Sequence, residues 1–224
     1  MRFILNILCG SSILLFCGCK PDVHLSGDDT VLCEIDLGLS VKWANMNLGA
    51  EKPEEFGKYY ALGGVLPYDS VPNTIDLPAN EYEWHDSLGV VLPKYDAASY
   101  STNNKWRIPT DEEWIELCEK CKWRWVSYKG VEGYHIEGPN GNSIFLPAAG
   151  YADSKYGDEL SGAYRSSFVF DGGACDNVCF AKPKNVNPPK IDLEAESAVE
   201  SDVHFSYFGC HVPISVRPVR VKDM

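Results

Sequence analysis

No uninterrupted apolar run in this sequence is long enough to cross a membrane as a helix, which takes about 20 residues. There is no Gly-rich phosphate loop, no Ser-His-Asp pattern and no HExxH motif. Nothing therefore marks nucleotide hydrolysis, serine-type acyl transfer or zinc peptidase chemistry. The five histidines (His24, His85, His135, His204 and His211) fall at no metal-ligand spacing. Basic residues are few beside acidic ones, 20 Lys and Arg against 32 Asp and Glu, for a net charge of −12. A surface of that sign repels phosphate backbones and anionic headgroups, so it argues against nucleic acid as a partner. No internal repeat or low-complexity tract is evident.

What is present begins at the N-terminus. Met1-Arg2 is a short basic start, and Phe3 to Phe16 is apolar apart from Asn6 and Gly10-Ser11-Ser12. This has the shape of a secretory signal peptide. Gly18 before Cys19 resembles the bacterial lipobox, which implies cleavage before Cys19 and lipidation of its thiol. Cys17 competes, but Phe16 is bulky for the preceding position. The expected organisation is a signal peptide at 1–18, a polar tether at 19–32 and one domain at 33–224. Loss of Arg2 leaves the mature chain one unit more negative. The expected location is the outer membrane or cell surface of a bacterium, with a lipid anchor; periplasmic and outward-facing orientations stay open.

Trp106-Arg107-Ile108-Pro109-Thr110-Asp111-Glu112-Glu113-Trp114 predicts a strand end, a sharp turn and a capped helix over about 110–121. Pro109 disfavours helix at Ile108. Thr110 and Glu113 have capping-box spacing, and Asp111, Glu112 and Glu113 put negative charge at the positive end of the helix dipole. Trp114, Leu117, Cys118 and Cys121 recur on one face. Around this helix the sequence reads as short strands. One alternates through Val41 and Trp43, and another lies near Tyr59-Tyr60. Lys122–Tyr128, Tyr134–Glu137 and Ser143–Leu146 form a meander with an Asn140-Gly141 turn. Ala163–Phe170 and Cys175–Lys182 pair across Asp171-Gly172-Gly173, and the last strands lie at 204–208 and 214–221. Residues 65–93 and 183–202 are long irregular stretches, the second strongly acidic. The pattern predicts an α+β domain.

Six cysteines remain once Cys9, Cys17 and Cys19 are set aside: Cys33, Cys118, Cys121, Cys175, Cys179 and Cys210. An even count in an exported chain permits disulfides without giving their connectivity. Cys118-x-x-Cys121 lies on the apolar helix stripe and reads as core packing or a structural bridge. Cys210 and His211 are neighbours on a strand and point to opposite faces, so they do not form a nucleophile and base.

Four separated segments carry a family resemblance. They are Asp36-Leu37-Gly38-Leu39-Ser40-Val41-Lys42-Trp43-Ala44, Trp106 to Thr110 with Glu113-Trp114, Gly138 through Phe145 to Tyr151, and Ser215-Val216-Arg217-Pro218-Val219-Arg220. Together, over about 33–222, they resemble the Fibrobacter succinogenes major paralogous domain, found in lipoproteins of gut Bacteroidetes. The resemblance implies a C-type-lectin-like fold, a small antiparallel sheet with one main helix and close termini. It is distantly similar to the formylglycine-generating enzymes, which share the Arg-x-Pro-Thr-x-x-Glu-Trp helix start. The chain departs from the family at Tyr164-Arg165-Ser166-Ser167, where Tyr-Trp-Ser-Ser is usual, and in a longer segment 183–202.

The functional expectation is a non-enzymatic surface module that binds an extracellular glycan or a protein partner. Aromatic residues crowd 58–100, and loops on rigid scaffolds are where recognition is usually placed. Tyr82, Trp84 and Asp86 are the candidate contacts, with Arg165 as a polar member. No cofactor is called for. Calcium at Glu137-Gly138-Pro139-Asn140 is disfavoured by the inserted Gly138, and calcium elsewhere stays open without a motif. Two alternatives stand beside this reading. One is a formylglycine-generating-like thiol oxidase using Cys210 with a second thiol in a cleft; the other is a structural subunit of a cell-surface assembly.

Overall fold

The computed structural model describes residues 32–70, 83–152, 161–170, 174–184, 188–195 and 201–221. The signal peptide, Cys19 and most of the tether, with Tyr82, lie outside the described residues. The domain is α+β, and among the described residues it has two α-helices and strands in three sheets.

Helix α2 spans Asp111–Lys120 and starts as its sequence dictates. The Glu113 amide donates to the Thr110 hydroxyl at 3.4 Å, and the Thr110 amide donates to the Glu113 carboxylate at 3.0 Å. Arg107 reaches the same carboxylate with two guanidinium nitrogens, one at 2.7 Å. Glu113 thus closes the cap and anchors the approaching chain at once. The shorter α1, Ala97–Ser101, is capped by the buried Asp96 carboxylate, which also accepts from the Ile108 amide at 2.8 Å.

The first sheet joins β1 (Glu34–Ile35), β2 (Val41–Ala44) and β11 (Val219–Val221) in that order. Trp43 stands opposite Val219, so an early strand pairs with the last described one, as expected. Trp43 and Trp114 are fully buried and meet edge to face, with ring centroids 4.8 Å apart. This contact seats α2 on the first sheet. The meander β4 (Lys122–Tyr128), β5 (Val131–Glu137) and β6 (Ser143–Pro147) is antiparallel throughout. Its second turn docks on the first sheet's approach, because the Asn140 and Asn142 side chains donate to the Asp36 carbonyl at 2.7 and 2.8 Å. Gly138 packs so closely there that a Cβ would collide with the Leu37 carbonyl.

The third sheet has the order β3-β10-β7-β8-β9, with β3 at Tyr59–Tyr60, β7 at Ser161–Phe170, β8 at Ala174–Ala181, β9 at Val203–Gly209 and β10 at Ile214–Ser215. Its β10–β7 pairing is parallel, through Ser215 and Tyr164. The expectation of one small antiparallel sheet is therefore corrected: three sheets form, and one is mixed. Local alternation marks strands, but the order in which distant strands pair is not written in it.

Arg217 joins the sheets. It is fully buried and donates to the Asn47 side chain at 2.9 Å, the Ala44 carbonyl at 3.0 Å and the Phe145 carbonyl at 2.7 Å. Burial pulls its pKa down to about 10. Alternation along β8 divides the interior. Val178 and Phe180 face α2 and the cluster of Trp114, Tyr134 and Tyr164, while Cys175 faces the cluster of Trp84, Trp106 and Val169.

Candidate functional site

Among the described residues the expected contacts of the 58–100 loop site do not come together. Trp84 is only 5% exposed and packs in the core cluster with Val91 and Trp106, so it offers no face for stacking. The cause is the loop's attachment to β7: the Val91 amide donates to the Ser167 carbonyl and the Val169 amide to the Gly89 carbonyl, both at 2.9 Å. Asp86 is exposed, but its Oδ1 accepts from the Leu88 and Val90 amides at 2.8 and 3.1 Å and shapes its own turn. Arg165 is fully buried, and its contacts are with the interior.

A different set of residues converges on the α2 side of β8 and β9. Strand register sets Asp176 opposite Tyr207 and Val178 opposite Phe205. These side chains therefore point to the same face, the one covered by α2. Asp111, the first residue of α2, meets them there. Its carboxylate accepts from the Ser166 hydroxyl and shares a hydrogen bond with Asp176. Asp176 is 6% exposed, and its Oδ1 has no hydrogen-bond partner. Burial, then the hydrogen bond and charge of Asp111, push the Asp176 carboxyl up to about 8. Two adjacent carboxylates, one buried and one half-buried, cannot both ionise cheaply, so near neutral pH the pair holds one proton.

The pair lies in a groove of about 800 Å³, lined also by Ile115 and Glu119 of α2, Ile191 to Glu194, Phe205 and Tyr207. Tyr207 is 67% exposed and rests edge-on against Phe170, with ring centroids 5.2 Å apart. The groove thus combines an accessible aromatic ring with a wall of carboxylates. A second cavity of about 610 Å³ lies between Trp106, Arg107 and Arg220 and is lined more by apolar than by polar atoms.

On the opposite face of β8 sits a thiol–guanidinium cluster. Arg165 Nη1 donates to Cys175 Sγ at 2.9 Å and to Asn177 Oδ1 at 2.8 Å, and Nη2 reaches the Tyr60 and Val212 carbonyls. Among the described residues no carboxylate forms an ion pair with Arg165. Cys210 contacts Cys175 side chain to side chain. That contact, with the Arg165 charge and the Asn177 amide, outweighs burial and lowers the Cys175 pKa to about 6, while Cys210 is driven up. The thiol oxidase alternative requires such a pair in a cleft. Cys175 is 0% and Cys210 1% exposed, so no substrate chain reaches them and that reading is set aside.

The described cysteines all carry free thiols. Cys118 and Cys121 lie in the α2 core, and burial raises both, Cys121 to about 12, as fits packing. Among the described residues no three His, Cys, Asp or Glu side chains are placed to hold a metal, and no helix is long and apolar enough to cross a membrane. In comparisons with family models, curated proteins and solved structures, nothing matches this chain.

The sequence reading missed Asp111 as anything more than a helix-dipole residue, and it missed Asp176 and Tyr207 altogether. One signal was present: Asp176 is the only charge in the strand Ala174-Cys-Asp-Asn-Val-Cys-Phe-Ala181. A carboxylate in a central strand asks for a partner, and sequence separation hid which one.

Proposed function

We propose that the chain is an exported, lipid-anchored surface module of C-type-lectin-like fold that binds an extracellular glycan in the groove between α2 and the β8–β9 hairpin. The observation that carries this reading is the exposed Tyr207 ring in a groove lined by the carboxylates of Glu119, Asp192 and Glu194. Aromatic faces stack on the apolar faces of sugar rings, and carboxylates accept hydrogen bonds from hydroxyl groups. Glu119, Asp192 and Glu194 add further negative charge along the groove. That charge disfavours sialylated or sulfated sugars and favours neutral or amino sugars. One stacked ring and one charged hydrogen bond support affinities of about millimolar to micromolar per site.

The close pairing of early and late strands and, among the described residues, one long helix support the fold assignment, and the four sequence segments support the family. Those segments act here as scaffold: Gly138, Asn140 and Arg217 tie strands together and do not line the groove. The ligand would then be chosen by residues outside them.

A glycan array probed with the native chain should favour neutral or amino sugars over sialylated ones. Tyr207→Ala should weaken those signals about tenfold, while Trp84→Phe should leave them unchanged. Equal binding by Tyr207→Ala defeats the groove assignment. An array with no signal, together with capture of a cell-surface protein, favours the assembly-subunit reading.

A further inference from the structure

We infer that Cys175 and Cys210 form a reversible dithiol–disulfide centre oxidised by peroxide, with Cys175 as the attacking sulfur, Cys210 as the resolving thiol and Arg165 as a positioning residue.

The geometry starts from Arg165. A fully buried guanidinium needs compensation, and among the described residues no carboxylate supplies it. Its neutral acceptors are the Asn177 side chain and two backbone carbonyls. The remaining partner is Cys175 Sγ at 2.9 Å, a separation suited to a charged hydrogen bond. The Asn177 amide nitrogen also faces that sulfur, at 4.0 Å. The cluster therefore favours sulfur as a thiolate, the reactive form. Cys179, on the same face of the strand, has no guanidinium contact, and burial raises it to about 11. Chemistry thus separates two cysteines that the sequence presents alike.

Cys210 is the second half. It follows β9 in a short turn, closed by the Val212 amide donating to the Gly209 carbonyl at 3.0 Å. His211, in the same turn, is exposed, while the turn is tied inward by the Leu62 amide donating to the Cys210 carbonyl at 2.9 Å and by Arg165 at the Val212 carbonyl. Local opening of this turn would admit a molecule as small and uncharged as hydrogen peroxide.

The steps balance without another reactant. The Cys175 thiolate attacks one oxygen of hydrogen peroxide, the O–O bond breaks and hydroxide leaves. Cys175 is oxidised by two electrons to the sulfenic acid, and the peroxide is reduced. The Cys210 sulfur then attacks the Cys175 sulfur, the S–O bond breaks, and the departing hydroxide takes the Cys210 proton as water. The product is one intramolecular disulfide per peroxide. Oxidation erases the negative charge that Arg165 faces. The reduced form is thereby favoured, and the disulfide should be readily reduced by a small dithiol.

The test uses the full chain, reduced, desalted and treated with hydrogen peroxide, followed by denaturing alkylation and peptide mapping. The expected result is loss of two thiols, a Cys175–Cys210 crosslink, and its reversal by dithiothreitol under native conditions. Cys210→Ser should stop at a sulfenic acid on Cys175, trapped by dimedone. The wild-type oxidation rate should rise only about twofold from pH 6 to pH 8, against tens of fold for an ordinary thiol. Arg165→Met, which removes the charge and the hydrogen bond to sulfur, should make the profile steeper if its circular dichroism matches wild type. Three results overturn the inference: both thiols surviving peroxide, Cys175 crosslinked to Cys179 instead, or a Cys175–Cys210 bond that dithiothreitol cannot reduce in the native chain.

Discussion

Asp176 makes the stability of this protein depend on pH in the direction opposite to an ordinary salt-bridged carboxylate. Its folded pKa is raised to about 8, whereas in the unfolded chain it ionises near its ordinary value of 3.8. Between those values the folded state holds a proton that the unfolded state has released. Stability is therefore greatest below the unfolded value and falls as pH rises towards 8. Asp176→Asn cannot ionise and can still donate a hydrogen bond to Asp111. Its melting temperature should match wild type near pH 4 and exceed it at pH 8, by the equivalent of about 1–3 kcal/mol. Parallel melting curves for the two proteins across this range would show that the pair does not hold a shared proton. The same pairing explains why Asp111 serves two ends: its position favours the α2 dipole, and its carboxylate closes on Ser166 and Asp176.

At the scale of elements, α2 was legible almost to the residue, because a capping box, a preceding proline and an apolar stripe are local signals that agree. Removing the cap in Thr110→Ala should cost about 1 kcal/mol, measured by chemical denaturation, and leave peroxide oxidation of the thiols unchanged. A loss near zero would mean that the Arg107–Glu113 contact alone fixes the helix start. The meander and the β7–β8 hairpin were legible for the same reason, through alternation and turn residues. The groove was not. Asp111, Asp176 and Tyr207 are distant in sequence, and only strand register and helix placement bring them to one face. The loop aromatics misled in the opposite sense. Trp84 stands among polar neighbours in sequence, yet backbone hydrogen bonds to β7 turn its ring inward. Arg165 likewise occupies a position where the resembling family has an aromatic residue, and its fully buried charge meets a thiol in place of a ligand.

For the molecule as a whole, the proposed placement in the cell rests on Cys19. Cys19→Ala should move the protein from the membrane fraction to the soluble fraction and abolish acyl labelling, since stable anchoring needs more than one acyl chain's worth of apolar area. Continued membrane association with an unlabelled, intact Cys19 in the wild type would refute the lipid anchor. The proposed thiol centre is compatible with that proposed placement, because chains exported from the cytoplasm meet oxidants directly.

The pairing of β2 with β11 has a consequence for how the protein is made. Trp43 is made long before its partner Val219 and before Arg217, which braces Ala44 and Asn47. Until then the Trp43–Trp114 contact is built on a sheet missing a strand, and loop-closure entropy opposes any early nucleus there. A growing chain leaves this sheet open until the segment around Val219 has been made. Under the proposed export, a sheet that closes only across so long a stretch of sequence keeps the chain passable through a translocation channel.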